Sequence, residues 1–251
     1  MNLVASLIVR NELSRYLLDC LELLLGFCDE VRIVDDDSTD GTYSVLADMD
    51  RVKVTPSTSS RFYAHEGAAR QRALEWTLDA KPTHILAVDG DELIENGQRL
   101  RMEVEEDQEC PVWTLCMEEV WKADEEHVWI RQDGGWKAHS VPILYRVNRK
   151  GGLEIPQRAL ASGRVPVSVA RDWRKARSTG ASILHLGWAN VAERAARHAR
   201  YVEHDGGQFH ASAHLDSIMW PDEKVTLSQC PWSTSIPRQV RERVVARVNL
   251  G

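Results

Sequence analysis

The chain has 251 residues, 43% of them hydrophobic and 27% charged, with a formal net charge of −7. That length and balance suit one large globular domain with an appendage, and they exclude a disordered, collagen-like or disulfide-scaffold chain. Acidic residues dominate positions 1–100, with 18 Asp+Glu against 10 Lys+Arg, which weighs against a general nucleic-acid binder needing a basic face.

Leu3 to Val9 is an apolar run closed by Arg10-Asn11-Glu12, the pattern of a strand buried on both faces. Residues 13–27 carry Leu13, Leu17, Leu21, Leu24 and Leu25 at helical spacing. Val31 to Val34 predicts a second strand, running into Asp35-Asp36-Asp37-Ser38-Thr39-Asp40-Gly41-Thr42. A helix over Tyr43 to Met49 and a strand at Val52–Val54 follow, then a helix over 64–80 ended by Pro82. Thr83 to Val88 is the next strand and ends in Asp89-Gly90-Asp91-Glu92. Strands alternating with helices predict an α/β fold with a doubly wound, mostly parallel sheet. Ligands of such sheets sit beyond the carboxyl ends of the strands, where both acidic clusters fall.

The second part reads differently. Residues 110–148 are rich in Trp and Val and predict a strand-heavy section, with a turn at Asp133-Gly134-Gly135. Residues 191–204 look helical, 205–235 irregular, and Pro237 to Val248 form a short amphipathic helix. The expected organisation is a nucleotide-binding half at 1–100, an acceptor-side half of the same domain at 101–204, and a C-terminal extension at 205–251.

Asp89-Gly90-Asp91 places two carboxylates around a glycine at a strand end. Carboxylates are hard oxygen donors suited to Mg²⁺ or Mn²⁺, and glycine lets the backbone approach a ligand. A polar turn with helix-capping acids would show the same three letters. The run Asp35-Asp36-Asp37 clusters like charges at a cost unless donors or a ligand offset it. Ser38 or Asp40 as a helix cap accounts for part of that run, but not for Asp35 and Asp36.

Taken in order, Asn11-Glu12, the segment from Asp29 to Thr42, Ala69-Arg70-Gln71-Arg72 and His84 to Glu92 resemble the nucleotide-binding half of family-2 glycosyltransferases with the GT-A fold. The resemblance covers residues 3–95. It implies sugar transfer from a nucleotide-linked donor, UDP-linked by family default, to an acceptor hydroxyl, with Mn²⁺ or Mg²⁺ on the leaving diphosphate. It implies that Asp36 receives the base, that Arg10 and Glu12 line the nucleoside pocket, and that Arg70 contacts base or diphosphate. Asp91 would hold the metal directly, with Asp89 on ribose or on water around the ion. The family more often has glycine at the position of Asp37. A weaker resemblance at Ile183-Leu184-His185-Leu186-Gly187-Trp188 makes His185 a further metal ligand; a core histidine satisfied by a carbonyl is the alternative. Arg194, Arg197 and Arg200 share a helical face that would form a lid over phosphates or a solvent-exposed stripe.

Single-displacement, inverting transfer needs a carboxylate base on the acceptor side. Glu118, Glu119, Asp133 and Asp172 are the candidates, Asp133 first and Glu119 second. Trp136, beside the Gly134-Gly135 turn, is the first expectation for stacking on an acceptor sugar. The acceptor itself is open: a glycan or lipid-linked saccharide, a protein side chain, a small molecule or a modified nucleobase. Two rivals are a sugar-nucleotide-forming nucleotidyltransferase and a non-catalytic nucleotide-sugar-binding protein. The former typically has a glycine-rich loop after the first strand, where this chain has Arg10-Asn11-Glu12. No apolar run approaches the roughly 18 residues of a membrane span. The N-terminus reads without a leader, and Cys20, Cys28, Cys110, Cys116 and Cys230 form no C-x-x-C pair. Reduced thiols in a cytoplasmic protein are expected.

Overall fold

The computed structural model describes residues 1–250 apart from 58–61, 63, 149–151, 159–161 and 206–211. The first half is built as the alternation predicts: β1 (Leu3–Val9), α1 (Leu17–Leu25), β2 (Glu30–Asp35), α2 (Thr42–Ala47), β3 (Val52–Pro56), α3 (Glu66–Leu78) and β4 (His84–Ala87). β5 (Glu92–Glu95), α4 (Gly97–Glu106), β6 (Val112–Ala123), β7 (His127–Arg131) and β8 (His139–Arg146) follow. The chain then forms α5 (Val167–Asp172), β9 (Arg177–His185), α6 (Val191–Asp205), α7 (Ser212–Ile218), β10 (Leu227–Pro231) and α8 (Arg238–Val248).

The strands join one mixed sheet in the order β10-β7-β6-β8-β4-β1-β2-β3, with β9 alongside β6 and β5 paired to β9. β3, β2, β1 and β4 are parallel, so their carboxyl ends share one edge. β8 runs antiparallel to both β4 and β6 and so ties the second half of the chain to the first. The α/β, mostly parallel central sheet is the predicted fold class. Its strands are apolar on both faces because helices cover them: Val4, Ala5, Leu7, Ile33, Ile85 and Leu86 are at most 1% exposed.

Two expectations need correction. Helix α1 starts at Leu17 rather than near residue 13, because residues 11–13 are hydrogen-bonded to the loop after β2. The Trp-rich section is strand-heavy as expected: a hairpin joins β6 to β7, and Gly134–Trp136 form a short 3-10 turn leading to β8, which pairs with β6. Residues 205–235 contain α7 and β10, the latter an edge strand on β7.

The C-terminal helix α8 buries Val240, Val244 and Val248. Its Arg243 and Arg247 both pair with Asp19 of α1, which is fully buried. The five cysteines are unpaired; Cys20, Cys28 and Cys110 are buried, and Cys116 is exposed. Among the described residues, no helix is long and apolar enough to cross a membrane.

Candidate active site

The site is assembled at the carboxyl edge of the sheet from two loops and two strand ends. The loop after β1 and the loop after β2 are hydrogen-bonded to each other. The Asn11 N–H donates to Ser38 Oγ at 2.9 Å, and the Thr39 N–H donates to Asn11 Oδ1 at 2.7 Å. The Glu12 N–H reaches Thr42 Oγ1 and the Leu13 N–H reaches Asp40 Oδ2. Asp40 also accepts from the Thr42 N–H at 3.0 Å. The polar letters of the Ser38–Thr42 run therefore fix the first loop rather than face a ligand. Asp37, at the position where glycine is usual, has φ 68°. Aspartate is among the few residues that tolerate this left-handed conformation.

Asp36 is 1% exposed and accepts a hydrogen bond from the Phe62 N–H at 3.1 Å. The Phe62 ring lies under the Arg70 guanidinium at 5.1 Å, and Arg70 reaches Asp89 at 3.5 Å. The structure thus strings Asp36, Phe62, Arg70 and Asp89 along one side of the site. Glu66 steadies Arg70 at 2.7 Å from the preceding turn of α3. Arg10 is exposed at the end of β1.

The Asp89–Glu92 turn is internally bonded: the Asp89 N–H donates to Glu92 Oε2, and the Glu92 N–H donates to the Asp89 carbonyl. Glu92 is fully buried and holds Arg164 at 2.5 Å, and Arg164 also lies 3.5 Å from Asp89. Asp89 therefore faces two arginines, which hold its proton affinity down against the effect of burial.

Asp91 is 6% exposed and is the centre of the site. Strand register delivers its partner: His185, the last residue of β9, stands opposite Glu92 of β5 and opposite Glu119 of β6. The Leu186 N–H donates to the Asp91 carbonyl at 2.8 Å and locks the two segments together. His185 Nε2 lies 3.6 Å from Asp91 Oδ1, and its Nδ1 is 2.5 Å from Glu119 Oε2. The other Asp91 oxygen is 2.5 Å from Arg197 Nη2 of α6 and 3.7 Å from Arg15 Nη2. Burial raises the Asp91 proton affinity, but Arg197, His185 and Arg15 outweigh it and hold the carboxyl well below its usual range. Burial opposes charge on His185, yet Glu119 and Asp91 push its pKa well above normal.

Glu12 sits beside this cluster, paired with Arg15 at 2.6 Å. Its Oε2 is buried without a hydrogen-bond partner among the described residues. Burial, offset in part by Arg15, raises its pKa to about 7. Arg15 in turn pairs with Glu193 of α6 at 3.0 Å. The Asn190 side chain accepts from the Glu193 N–H at 3.0 Å and so caps that helix.

Two expectations on the acceptor side do not survive. Asp133 is held by both of its oxygens: Arg131 donates to them at 2.9 and 2.8 Å, and the Thr226 N–H adds a third bond. Those bonds, Arg131 first, lower its proton affinity. A carboxylate committed in this way is a poor base, and its role is to neutralise the fully buried Arg131. Trp136 is 3% exposed, with its N–H on Ser217 Oγ, and packs with Trp121, Trp188, Leu215 and Ile218. It therefore presents no free face to an acceptor. Trp188 of this cluster abuts His185, with ring centroids 6.1 Å apart.

The residues brought together are Asp89, Asp91, His185, Glu12, Arg70 and, through the Phe62 contact, Asp36. Glu119 was expected as the second candidate base and Arg197 as part of a phosphate lid or a solvent-exposed stripe; Arg15 and Arg164 were not expected at the site. Arg164 lies within residues 146–177, which carry nine Lys+Arg against two Asp+Glu, and that charge excess was its only signal.

The donor set suits a divalent cation. Asp91 Oδ1 and His185 Nε2 face each other at a separation two ligands of one ion can share, and Glu119 on Nδ1 is the outer partner that metal-bound histidines usually have. Among the described residues no third such side chain completes a cage. The arrangement fits an ion that takes its remaining ligands from phosphate and water.

Acidic side chains flanked by arginines thus gather at the carboxyl edge of the mostly parallel central sheet of a GT-A-type α/β fold. A family model described as Glycosyl transferase family 2 matches residues 6–150, and the chain belongs to that family. Two mycobacterial relatives, Uncharacterized protein Rv3786c of Mycobacterium tuberculosis and Uncharacterized protein Mb3815c of Mycobacterium bovis, are each 26% identical over 200 residues. Each match covers 76% of this chain and 48% of the relative, so the chain spans about half the length of the curated relatives it matches. Among solved structures, S. aureus TarS (residues 1–349) is similar with a TM-score of 0.47 and 17% identity, over 87% of this chain and 69% of that one. A 4-diphosphocytidyl-2C-methyl-D-erythritol synthase is similar with a TM-score of 0.38 and 16% identity, over 58% of this chain and 75% of that one.

Proposed function

We propose that this family-2 glycosyltransferase moves a sugar from a UDP-linked donor to an acceptor hydroxyl, with Mn²⁺ or Mg²⁺ held by Asp91 and His185. The observation that carries this reading is the Asp91–His185–Glu119 chain at the end of β9 and β5. Asp36 and the Phe62–Arg70 pair flank the base and ribose. Asp89 faces the ribose side, between Arg70 and Arg164. When bound, the cation supplies Lewis acidity to the leaving diphosphate.

In the displacement, the acceptor oxygen bonds to the anomeric carbon as the bond from that carbon to the diphosphate oxygen breaks. The bonding pair leaves with the diphosphate, and the hydroxyl proton goes to a carboxylate. One displacement inverts the anomeric centre. Of the four carboxylates expected to act as base, Glu119 alone reaches the Asp91–His185 pair, and there it serves as the outer partner of the histidine rather than as the base.

The test is incubation of the protein with a panel of sugar nucleotides, with and without Mn²⁺. Slow, metal-dependent release of the nucleoside diphosphate from one of them supports the reading. Release of pyrophosphate from a nucleoside triphosphate plus a sugar phosphate would replace it with nucleotidyl transfer.

A further inference from the structure

Arg197 has a position that the proposed chemistry does not by itself require. Its Nη2 is 2.5 Å from Asp91 Oδ2, on the oxygen turned away from His185. Its guanidinium lies over Trp188 at 4.9 Å, and the side chain is 16% exposed. The backbone makes room for it at Gly187. A Cβ there would stand 2.6 Å from Arg197 Nη1 and 2.7 Å from His185 Nε2. The glycine thus lets an arginine and a histidine converge on a single carboxylate.

An arginine on Asp91 and a divalent cation on Asp91 oppose each other. The two positive charges would lie within a few ångströms in a site sheltered from water, where repulsion is weakly screened. A donor diphosphate changes the balance, because it adds negative charge beside both. The planar guanidinium fork matches phosphate oxygens as well as carboxylate oxygens. Helix α6 is tied to the first loop through the Arg15–Glu193 pair, so Arg197 stays over the site while its head group exchanges partners.

Resting on the donor-binding reading above, we propose that Arg197 is a diphosphate-binding residue that guards Asp91 in the empty site. Without nucleotide it competes with the divalent cation for Asp91. With nucleotide it transfers to the departing diphosphate and carries part of the charge that develops there. The cation and the nucleoside diphosphate therefore bind cooperatively, and a nucleoside monophosphate gains little from Arg197.

The two halves of the proposal have opposite signs in one variant. In Arg197→Met, Mn²⁺ binding to the nucleotide-free protein, read by calorimetry or by the manganese spin-resonance signal, tightens about tenfold. UDP binding at saturating Mn²⁺ weakens tenfold or more, while UMP binding is unchanged. Arg197→Lys keeps the charge and recovers part of the UDP affinity, and its fold serves as the control should the methionine variant unfold. Equal weakening of Mn²⁺, UDP and UMP, or no change in any, overturns the proposal and leaves Arg197 a structural residue. Should wild-type protein bind none of UDP, GDP, CDP and dTDP with metal present, the donor reading itself fails and this proposal falls with it.

Discussion

His185 Nε2 stands 3.6 Å from Asp91 Oδ1, although the two residues are 94 positions apart, one the last residue of β9 and the other just before its antiparallel neighbour β5. The pairing register of β5 and β9 creates this contact, and β6 fixes it from the other side by placing Glu119 on the far ring nitrogen. Replacing Asp91 with Asn removes the anionic ligand while keeping the shape. Transfer is expected to be abolished along with metal-dependent donor binding, and circular dichroism and melting should remain those of a folded protein.

Glu119→Gln tests the other end of the chain. The outer carboxylate fixes the tautomer and orientation of the histidine, and its loss typically costs about 10- to 100-fold in metal affinity. Glu119→Gln is expected to show that loss as weaker Mn²⁺ binding, read by calorimetry. Unchanged Mn²⁺ affinity would contradict the outer-partner role.

Glu12 gives a pH-dependent prediction. Its carboxyl is raised from 4.5 to about 7, chiefly by burial. The folded protein therefore binds a proton that the unfolded chain has already released between those values. Ionised Glu12 costs nothing below about pH 4.5, and its full cost is present above about pH 7. Stability attributable to this group falls as pH rises through the window, by about 3 kcal/mol in total. Glu12→Gln should unfold at higher urea than wild type at pH 8, with the difference vanishing at pH 4.5. A pH-independent difference would contradict the assignment.

Much of the first half was legible because each buried strand is a short apolar run and each loop carries its own acids. The D-G-D turn announced Asp89 and Asp91, and the H-x-G segment announced His185. Arg164 was not legible as a site residue, and Arg197 only as one of three arginines on a face that would cover phosphates or meet solvent. Each acts across more than 70 positions of sequence, and an arginine on a helix or in a loop looks the same whether it faces solvent or a carboxylate. Asp133 misled for a related reason. Its turn context is that of a loop base, and only the burial of Arg131, set by the tryptophans around it, commits both of its oxygens.

Gly187→Ala should spare the fold and damage the site. The added methyl meets the ends of the Arg197 and His185 side chains. A fall of at least about tenfold in kcat/KM, with a melting temperature within a few degrees of wild type, is the expected result. A large loss of stability with normal activity per folded molecule would show that the glycine serves packing instead.

Asp19→Ala tests the anchoring of α8. It removes a fully buried carboxylate that pairs with Arg243 and Arg247. Arg243 keeps its pair with Glu22 and both arginines reach solvent, so the cost is that of the lost charge-assisted hydrogen bonds, about 1.5–3 kcal/mol. Limited proteolysis should then cut the chain within residues 232–250 first.

The central claim is that Asp91 and its neighbours bind a nucleotide-linked sugar through a divalent cation. The most direct measurement is a thermal-shift titration of sugar nucleotides against wild-type protein and Asp91→Asn, each with and without Mn²⁺. The account predicts a rise in melting temperature for one donor class, seen only with metal and only in the wild type. A shift of the same size without metal, or one retained in Asp91→Asn, would contradict it.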